Sequence, residues 1–364
     1  MLRRLTLGFF ALALAAFAAA CSSSDTAPLS SGGVPGIGPN FASNSIYATN
    51  STQNSVSIYA PNPATGASPV NQIGGSNTQL NGPQYDAFDS ASRLYVTNFN
   101  AAVGAQAAAI TIYQKFATGN VNALAVITGP FTQLVQPRGI ALSASGTIVV
   151  ANVNPSSPNP NQVLLFGSIL AGGAGNITPG IIAGPATLLN SPTGVALDKN
   201  NNVFVANRGN GTVTEYTFPS PSPAPSGSPT TSPSPLPTGS ASPTPPPANA
   251  LNLAPSLVIS GGLVAPTGLA IDAAGNLYVA DPDNGTPSIR VFAAGGTVPT
   301  RIITGAATTL SFPTDVKVDA AGNIYVADAG TNKILIFAPG ANGNVAPTAS
   351  VAAPGSLTGL TLSP

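Results

Sequence analysis

Few residues of this chain could do chemistry, and the types that are missing restrict its function most. The 364 residues include no histidine, a single cysteine, Cys21, and a single glutamate, Glu215. Without histidine the chain has no Ser-His-Asp triad, no Cys-His pair and no histidine-ligated zinc site. One cysteine cannot form a disulfide within the chain. The composition therefore favours a binding or structural protein over an enzyme, and we predict no catalytic residue and no resident metal or cofactor.

Polar side chains recur at one position of a repeated pattern, each time at the end of a short apolar run. They are Asn50, Asn98, Asn152, Asn207, Asp281 and Asp328. Such a ring could bind a cation or hydrogen-bond a small polar ligand. Calcium is the cation it would take, although two carboxylates are fewer than a strong calcium site normally has. The alternative is that each side chain caps a turn by accepting from nearby backbone amides.

Arg138 stands out at a second position of the same pattern. The equivalent residues are Gln84, Thr193, Thr267, Thr314 and Thr358. A lone arginine among neutral residues suits an anionic group of a ligand. The alternative is a solvated or internally paired arginine. With the six Asn and Asp residues, Arg138 completes the predicted ligand site.

A repeat of about 50 residues positions these side chains. Its clearest copies read PTGVALDKNNNVFVAN, PTGLAIDAAGNLYVAD and PTDVKVDAAGNIYVAD, at 192–207, 266–281 and 313–328. Looser copies begin at Pro83 and Pro137. Each copy reads as two strands around a tight turn, and two further apolar runs follow it, such as SIRVF and RIIT. The sequence therefore predicts units of four strands.

The chain ends supply complementary halves of one more unit. NSIYATN at 44–50 has only the second half of the pattern, and LTGLTLSP at 357–364 has only the first. A blade shared by both ends closes a ring and removes exposed sheet edges. We therefore predict an all-β fold, a six-bladed β-propeller, over residues 44–364. A Pro/Ser-rich segment, 219–247, falls between the third and fourth strands of one blade and is predicted to be a disordered loop.

The pattern P-T-G-[VL]-A-[LI]-D-x-x-G-N-[LI]-Y-V-A-D resembles the NHL repeat. The resemblance extends from Asn44 to Pro364 except for the insert, and it implies four-stranded blades. The missing glycines at Tyr85 and Asp315 and the lost aspartate at Ser143 depart from the pattern. These departures leave the fold prediction intact but give no basis for inferring a shared ligand.

Three functions are compatible with this fold. The first, which we favour, is a non-catalytic binding or scaffold module for a protein or a small polar ligand. The second is a metal-dependent lactonase-like hydrolase, since gluconolactonases have a similar fold and use one divalent metal. Their metal ligands include a glutamate near the chain start; this chain has none before Glu215, so Asp281 or Asp328 would have to replace it. The third is a purely structural surface protein.

The N-terminus predicts export to a bacterial envelope. Two arginines precede the apolar run from Leu5 to Ala20, as in a signal peptide spanning residues 1–20. Cys21 follows Ala18-Ala19-Ala20, which resembles a lipobox, and a polar tether over residues 21–43 comes next. We expect Cys21 to be lipidated and to provide the only membrane attachment. The alternatives are ordinary secretion and a short membrane anchor formed by the apolar run. Because no cluster of Lys and Arg is present, we expect no nucleic-acid partner.

Overall fold

The fold was described from a computed structural model. It describes residues 43–100, 108–168, 175–218, 250–282 and 285–364. Apart from Phe218, these residues belong to one compact unit, 36–217 with 247–364. The predicted signal peptide, positions 21–42 of the predicted tether and the Pro/Ser-rich segment 219–247 lie outside the described residues.

The described residues form six sheets, each with four antiparallel strands in the order first, second, third and fourth, and one sheet has a short fifth strand. We number the sheets as blades 1 to 6, and blade 1 combines the C-terminal strand with the first three strands of the described chain. The first strands, from blade 1 to blade 6, are Leu357–Leu362, Pro83–Phe88, Gln136–Leu142, Pro192–Leu197, Leu269–Ile271 and Pro313–Val318. The second strands are Ile46–Asn50, Leu94–Asn98, Ile148–Val153, Val203–Asn207, Leu277–Asp281 and Ile324–Asp328. The predicted all-β, six-bladed propeller is confirmed.

The outer halves of the blades follow the same order. The third strands are Ser55–Tyr59, Ala109–Tyr113, Asn161–Phe166, Thr212–Tyr216, Ser288–Phe292 and Lys333–Phe337. The fourth strands are Asn71–Gly74, Ala125–Ile127, Gly180–Ala183, Leu257–Ile259, Pro299–Thr304 and Ala349–Ala352. Four 3-10 helices precede first strands, at Ser76–Thr78, Pro130–Thr132, Pro185–Thr187 and Ala306–Thr308. The third strands are rich in Ile, Val, Leu and Tyr because both faces of a blade pack against its neighbours, whereas the fourth strands at the outer edges are only partly buried.

Blade 1 closes the ring as the half-repeats predict. The C-terminal first strand pairs antiparallel with the second strand at Ile46–Leu362, Tyr47–Thr361 and Ala48–Leu360. Its neighbours are the first strands of blades 2 and 6, so the first strands form a closed ring around a central channel. The first and last strands of the described chain are thus joined in one hydrogen-bonded sheet.

A second set of contacts links the outer edges of neighbouring blades. In blades 2, 3, 4 and 6 the segment leading to the fourth strand runs parallel to the fourth strand of the preceding blade, for example at Ile73–Gly119 and Ile303–Gly343. In blade 3 this contact extends to a fifth strand, Ala250–Leu251, which pairs with Ile181 and Ile182. The sequence pattern did not predict these parallel pairs.

Two faces of the ring differ in their connections. We call the loop face the side on which loops lead into the first strands, and the turn face the side with the tight turns between first and second strands. On the turn face, Asp89, Asp198, Asp272 and Asp319 each accept from the amides of their own turn. These four aspartates are therefore structural, as the D-x-x-G-N pattern indicates.

Candidate functional site

Glycines bring the first strands of neighbouring blades into contact near the channel axis. Gly139, Gly194, Gly268 and Gly359 occupy the third position of the repeat in four units. A Cβ on Gly139 would lie 2.5 Å from the Thr193 carbonyl oxygen, and one on Gly359 would lie 2.6 Å from that of Gln84. No side chain fits at these positions without displacing the neighbouring backbone. The two units that lack this glycine, with Tyr85 and Asp315, therefore place a side chain where the others have none.

Tyr85 crosses the channel beneath the loop face. Its side chain begins in blade 2, and its hydroxyl donates to the Thr314 carbonyl of blade 6 at 2.9 Å, past the first strand of blade 1. The residue is buried, and burial raises the pKa of Tyr85. The negative charge of Asp315 raises this pKa further, whereas Arg138 and Arg208 lower it. One departure from the repeat pattern thus obstructs the channel on this side.

The six Asn and Asp residues at the ends of the second strands are buried, and five of them accept from the loops before the first strands. The Asp281 carboxylate accepts from the amides of Val264 and Ala265, and the Asp328 carboxylate from those of Ser311 and Phe312. The same contact links Asn98 to Asn81, Asn152 to Val135 and Gln136, and Asn207 to Asn190. Asn50 instead donates to the Ala48 carbonyl and the Ser57 hydroxyl.

These contacts correspond more closely to a capping role than to an open polar ring. Most of these side chains cap the loop that precedes the first strand of their own blade, and not the turn that follows them in the sequence. Asp328 caps both, because it also accepts from the Thr331 amide. The side chains hold the loops of the loop face against the second strands. That they also bind a ligand stays a prediction.

Substitution of Asp328 tests the capping role. We expect Asp328→Asn to lower the free energy of unfolding by about 1 kcal/mol, because the amide weakens charge-assisted bonds to the Ser311 and Phe312 amides. Denaturant unfolding measures the change. Thr331→Ala, which removes one donor to the same carboxylate, is the matched control and should cost less. Asp328→Ala, which removes every acceptor atom, should cost more than Asp328→Asn, and an Asp328→Ala protein as stable as wild type would contradict the role.

The Asp281 carboxylate forms an ion pair within blade 5. The Arg290 Nε lies 3.4 Å from an Asp281 carboxylate oxygen, and the Asp281 side chain is fully buried. Asp328 is buried as well. Both carboxylates are thus bonded within the protein, Asp281 to loop amides and Arg290, and Asp328 to loop amides and Thr331.

Arg138 lies on the loop face in the first strand of blade 3 and is half-buried. Its guanidinium is 5.6 Å from the centre of the Phe99 ring. Arg208, one residue beyond the second strand of blade 4, is exposed, and its guanidinium is 5.7 Å from the centre of the Phe312 ring at the start of blade 6. The sequence singled out Arg138 by its difference from its equivalents, but it did not place Arg208 in the site. A basic residue directly after a capping Asn was the available signal.

Asp86, Asp315 and Lys317 form a buried ionisable cluster beside the closing strand. Asp315 accepts two bonds from the Lys317 ammonium, at 2.7 and 2.8 Å, and one from the Leu360 amide at 3.1 Å. Asp86 is 1% exposed, and neither of its carboxylate oxygens has a hydrogen-bond partner. Burial raises the pKa of Asp86 well above its ordinary value, and the charge of Asp315 adds to the rise while Lys317 opposes it.

The turn face opens into a central cavity of about 480 Å³. Aliphatic side chains such as Ile140, Val195 and Leu269 line it, together with Lys317. Lys317 is paired with Asp315, so it brings no uncompensated charge into this cavity. The described ranges contain no group of three His, Cys, Asp or Glu side chains placed to hold a metal ion. None of their helices is long and apolar enough to span a membrane.

Comparison with known proteins gives the repeat and the fold. Two segments, 189–216 and 310–337, match the NHL repeat model. They contain two of the three clearest copies of the pattern, so the resemblance to NHL repeats is confirmed. No curated protein sequence matches the chain significantly.

Solved structures share the architecture at low sequence identity. A protein of unknown function from Bacteroides caccae is 12% identical with a TM-score of 0.55, and the match covers 88% of this chain and 99% of that one. A periplasmic gluconolactonase from Pseudomonas aeruginosa is 14% identical with a TM-score of 0.54, over 89% and 99% of the two chains. A putative 6-phosphogluconolactonase from Bacteroides fragilis is 11% identical with a TM-score of 0.50, over 88% and 98%. At these identities the likeness concerns the fold.

Proposed function

We propose that this chain, an NHL-repeat propeller, is a non-catalytic binding module held at a bacterial membrane through Cys21. Its loop face binds a small polar ligand, or a partner protein that presents similar polar groups. The observation that supports this function most directly is the anchoring of the loops. In blades 2 to 6 a buried Asn or Asp ties the loop before the first strand to the end of the second strand.

Loops held in this way form a rigid surface. A ligand that binds a preorganised surface does not have to order loops, so less of its interaction energy is lost. The Tyr85 side chain reaches from blade 2 to blade 6 and narrows the channel below a ligand on the loop face. Rigid loops above a narrowed channel suit binding, and they require no catalytic group.

The lactonase alternative has less support from the contacts. It would use Asp281 or Asp328 as a metal ligand in place of a glutamate. Both carboxylates already accept from two loop amides, and Asp281 also lies beside Arg290. Glu215 is in the third strand of blade 4, away from the ring of first strands. Metal binding by these aspartates would break the contacts that hold two loops.

Native purification tests the proposed function. The full-length protein, extracted from membranes of its native host in mild detergent, should carry one small molecule per propeller in native mass spectrometry. With glucono-δ-lactone and Ca²⁺ added, hydrolysis should not exceed the rate in buffer. Hydrolysis that a chelator abolishes would favour the lactonase. A protein free of ligand and inactive would favour a structural surface role.

The anchor has its own test. We expect Cys21→Ser to move the protein from the membrane fraction to the soluble fraction, because Cys21 is the only cysteine and the proposed lipid attachment residue. Labelling with a palmitate analogue should be lost at the same time. Ser22→Ala, which leaves the cysteine in place, should fractionate as wild type. A Cys21→Ser protein that stays with the membrane would refute lipid anchoring through this residue.

A further inference from the structure

Two arginine side chains lie near Tyr85 on the loop face. Arg138 comes from blade 3, and Arg208 reaches from blade 4 across blade 5 to the Phe312 ring of blade 6. Tyr85 reaches blade 6 from the other direction, at Thr314. Both guanidinium charges act on the Tyr85 hydroxyl, and the charge of Arg208 also acts on Arg138. The two arginines and the tyrosine therefore share one small region where the channel opens on the loop face, which we call the mouth.

No carboxylate in the described part of the chain pairs with either arginine. The three ion pairs there join Arg93 to Asp89, Arg290 to Asp281 and Lys317 to Asp315. The Nε atom of Arg138 is buried and has no hydrogen-bond partner. A buried donor without an acceptor costs about 1–3 kcal/mol, and more when the group is charged. The mouth thus holds two neighbouring positive charges and an unfilled donor.

An anion beside the two guanidiniums would neutralise both positive charges. We propose that Arg138 and Arg208 form an oxyanion-binding site, which takes the carboxylate or phosphate group of a small organic ligand over the Tyr85 hydroxyl. This inference rests on the proposed function and specifies its ligand. Planar guanidinium groups match the oxygen geometry of carboxylates and phosphates.

Contacts with aromatic rings help to hold both arginine side chains in place before a ligand binds. A guanidinium near the face of an aromatic ring is attracted to it, and this contact restrains the side chain before a ligand binds. The Phe99 and Phe312 rings lie within cation–π distance of Arg138 and Arg208, at 5.6 and 5.7 Å respectively. The Tyr85 side chain narrows the channel beside the two arginines, so a compact ligand at the loop face fits better than one threaded along the channel.

Binding of simple anions tests the site directly. The full-length protein in detergent is titrated calorimetrically with sodium gluconate, sodium phosphate and uncharged glucose at constant ionic strength. We expect gluconate or phosphate to bind and glucose not to. Arg138→Gln and Arg208→Gln should each weaken the anion at least tenfold, and the double variant should abolish binding with the unfolding midpoint retained. Whether gluconate or phosphate binds more tightly identifies the carboxylate or the phosphate as the preferred group.

Arg301→Gln is the matched control for charge. Arg301 donates to the Tyr278 hydroxyl in blade 5, away from the mouth, so its loss should leave anion affinity unchanged. The proposal is overturned if neither anion binds, or if the double variant binds as tightly as wild type. A natively purified protein that carries a neutral molecule, together with no anion binding, would retain the binding function and reject this site.

Discussion

Replacing Asp86 with valine is expected to raise the free energy of unfolding by about 3 kcal/mol at pH 8. Asp86 is almost fully buried in the first strand of blade 2, and neither carboxylate oxygen has a partner. Replacing buried charged groups with well-packed apolar ones of similar volume often stabilises a protein by about 1–4 kcal/mol. The equivalent residues of the other five blades are aliphatic, namely Ile140, Val195, Leu269, Val316 and Leu360. A valine therefore fits the repeat at this position.

The gain should depend on pH in a defined direction. Burial raises the pKa of Asp86 in the folded state well above 3.8, and Asp315 adds to the rise. A folded state that holds the proton more tightly loses stability as the pH rises from the ordinary carboxyl range through the folded pKa. The wild type should therefore become less stable over that window. Asp86→Asn, which cannot ionise, should remove this part of the pH dependence.

Asp315→Asn serves as the opposing control. Asp315 is equally buried and lies in the first strand of blade 6, but it accepts from Lys317 and from the Leu360 amide. Burial raises the pKa of Asp315 as well, but Lys317 and the Leu360 amide oppose the rise. Removing its charge leaves the Lys317 ammonium without its partner, so this variant should be less stable than Asp86→Asn. Urea unfolding between pH 4 and pH 9 measures all three variants. An Asp86→Val protein less stable than wild type at every pH would show that Asp86 has a bonding partner.

The blades could be predicted because each strand of the repeat has a recognisable sequence pattern. Alternating apolar residues mark the first and second strands, and D-x-x-G-N marks the turn between them. Leu357–Leu362 could be assigned to blade 1 because only that unit lacked a first half. The strand order follows from consecutive antiparallel pairing, which short connections favour.

The links between outer edges could not be predicted in the same way. Asn120, Asn176, Asn252 and Asn344 each accept from a backbone amide of the preceding blade, at 2.6–2.8 Å. The parallel contact beside each asparagine involves one or two residues, too few for a strand pattern. A Gly-Asn or Leu-Asn step before an apolar residue recurs in the sequence, but recurrence alone does not identify a partner in another blade.

The candidate site was predicted in part. Arg138 could be found because it is the one charged residue among its equivalents. The direction of the Asn and Asp side chains could not be predicted. An Asn at a strand end can face either the channel or a loop amide, and the same sequence pattern fits both. The pairing of Arg208 with Phe312 spans two blades, and it depends on the ring geometry rather than on any local pattern.

A chain ending at Gly355 is expected to be unfolded or insoluble. The truncation removes the strand Leu357–Leu362, whose Leu357 and Leu360 side chains are fully buried. Truncating a buried leucine to alanine alone costs about 2–5 kcal/mol, and a whole domain is stable by only about 5–15 kcal/mol. The loss also removes the Leu360 amide that donates to Asp315. Expression level, circular dichroism and the thermal midpoint measure the outcome.

Two comparisons separate loss of ring closure from a general effect of shortening the chain. Removing only Pro364, which lies beyond the strand, should leave the midpoint close to that of wild type. Leu360→Ala in the full-length chain should fold but unfold at a lower denaturant concentration. Leu360 packs between blades 1 and 6, and the shorter side chain would leave a cavity there. A synthetic peptide of residues 356–364, added in excess during refolding of the truncated chain, should restore part of the native signal, since the strand can pair with Ile46–Asn50 from a separate molecule. If the truncated chain folds with an unchanged midpoint, the C-terminal strand does not close the ring, and the shared blade would have to be rejected as the source of the propeller's stability.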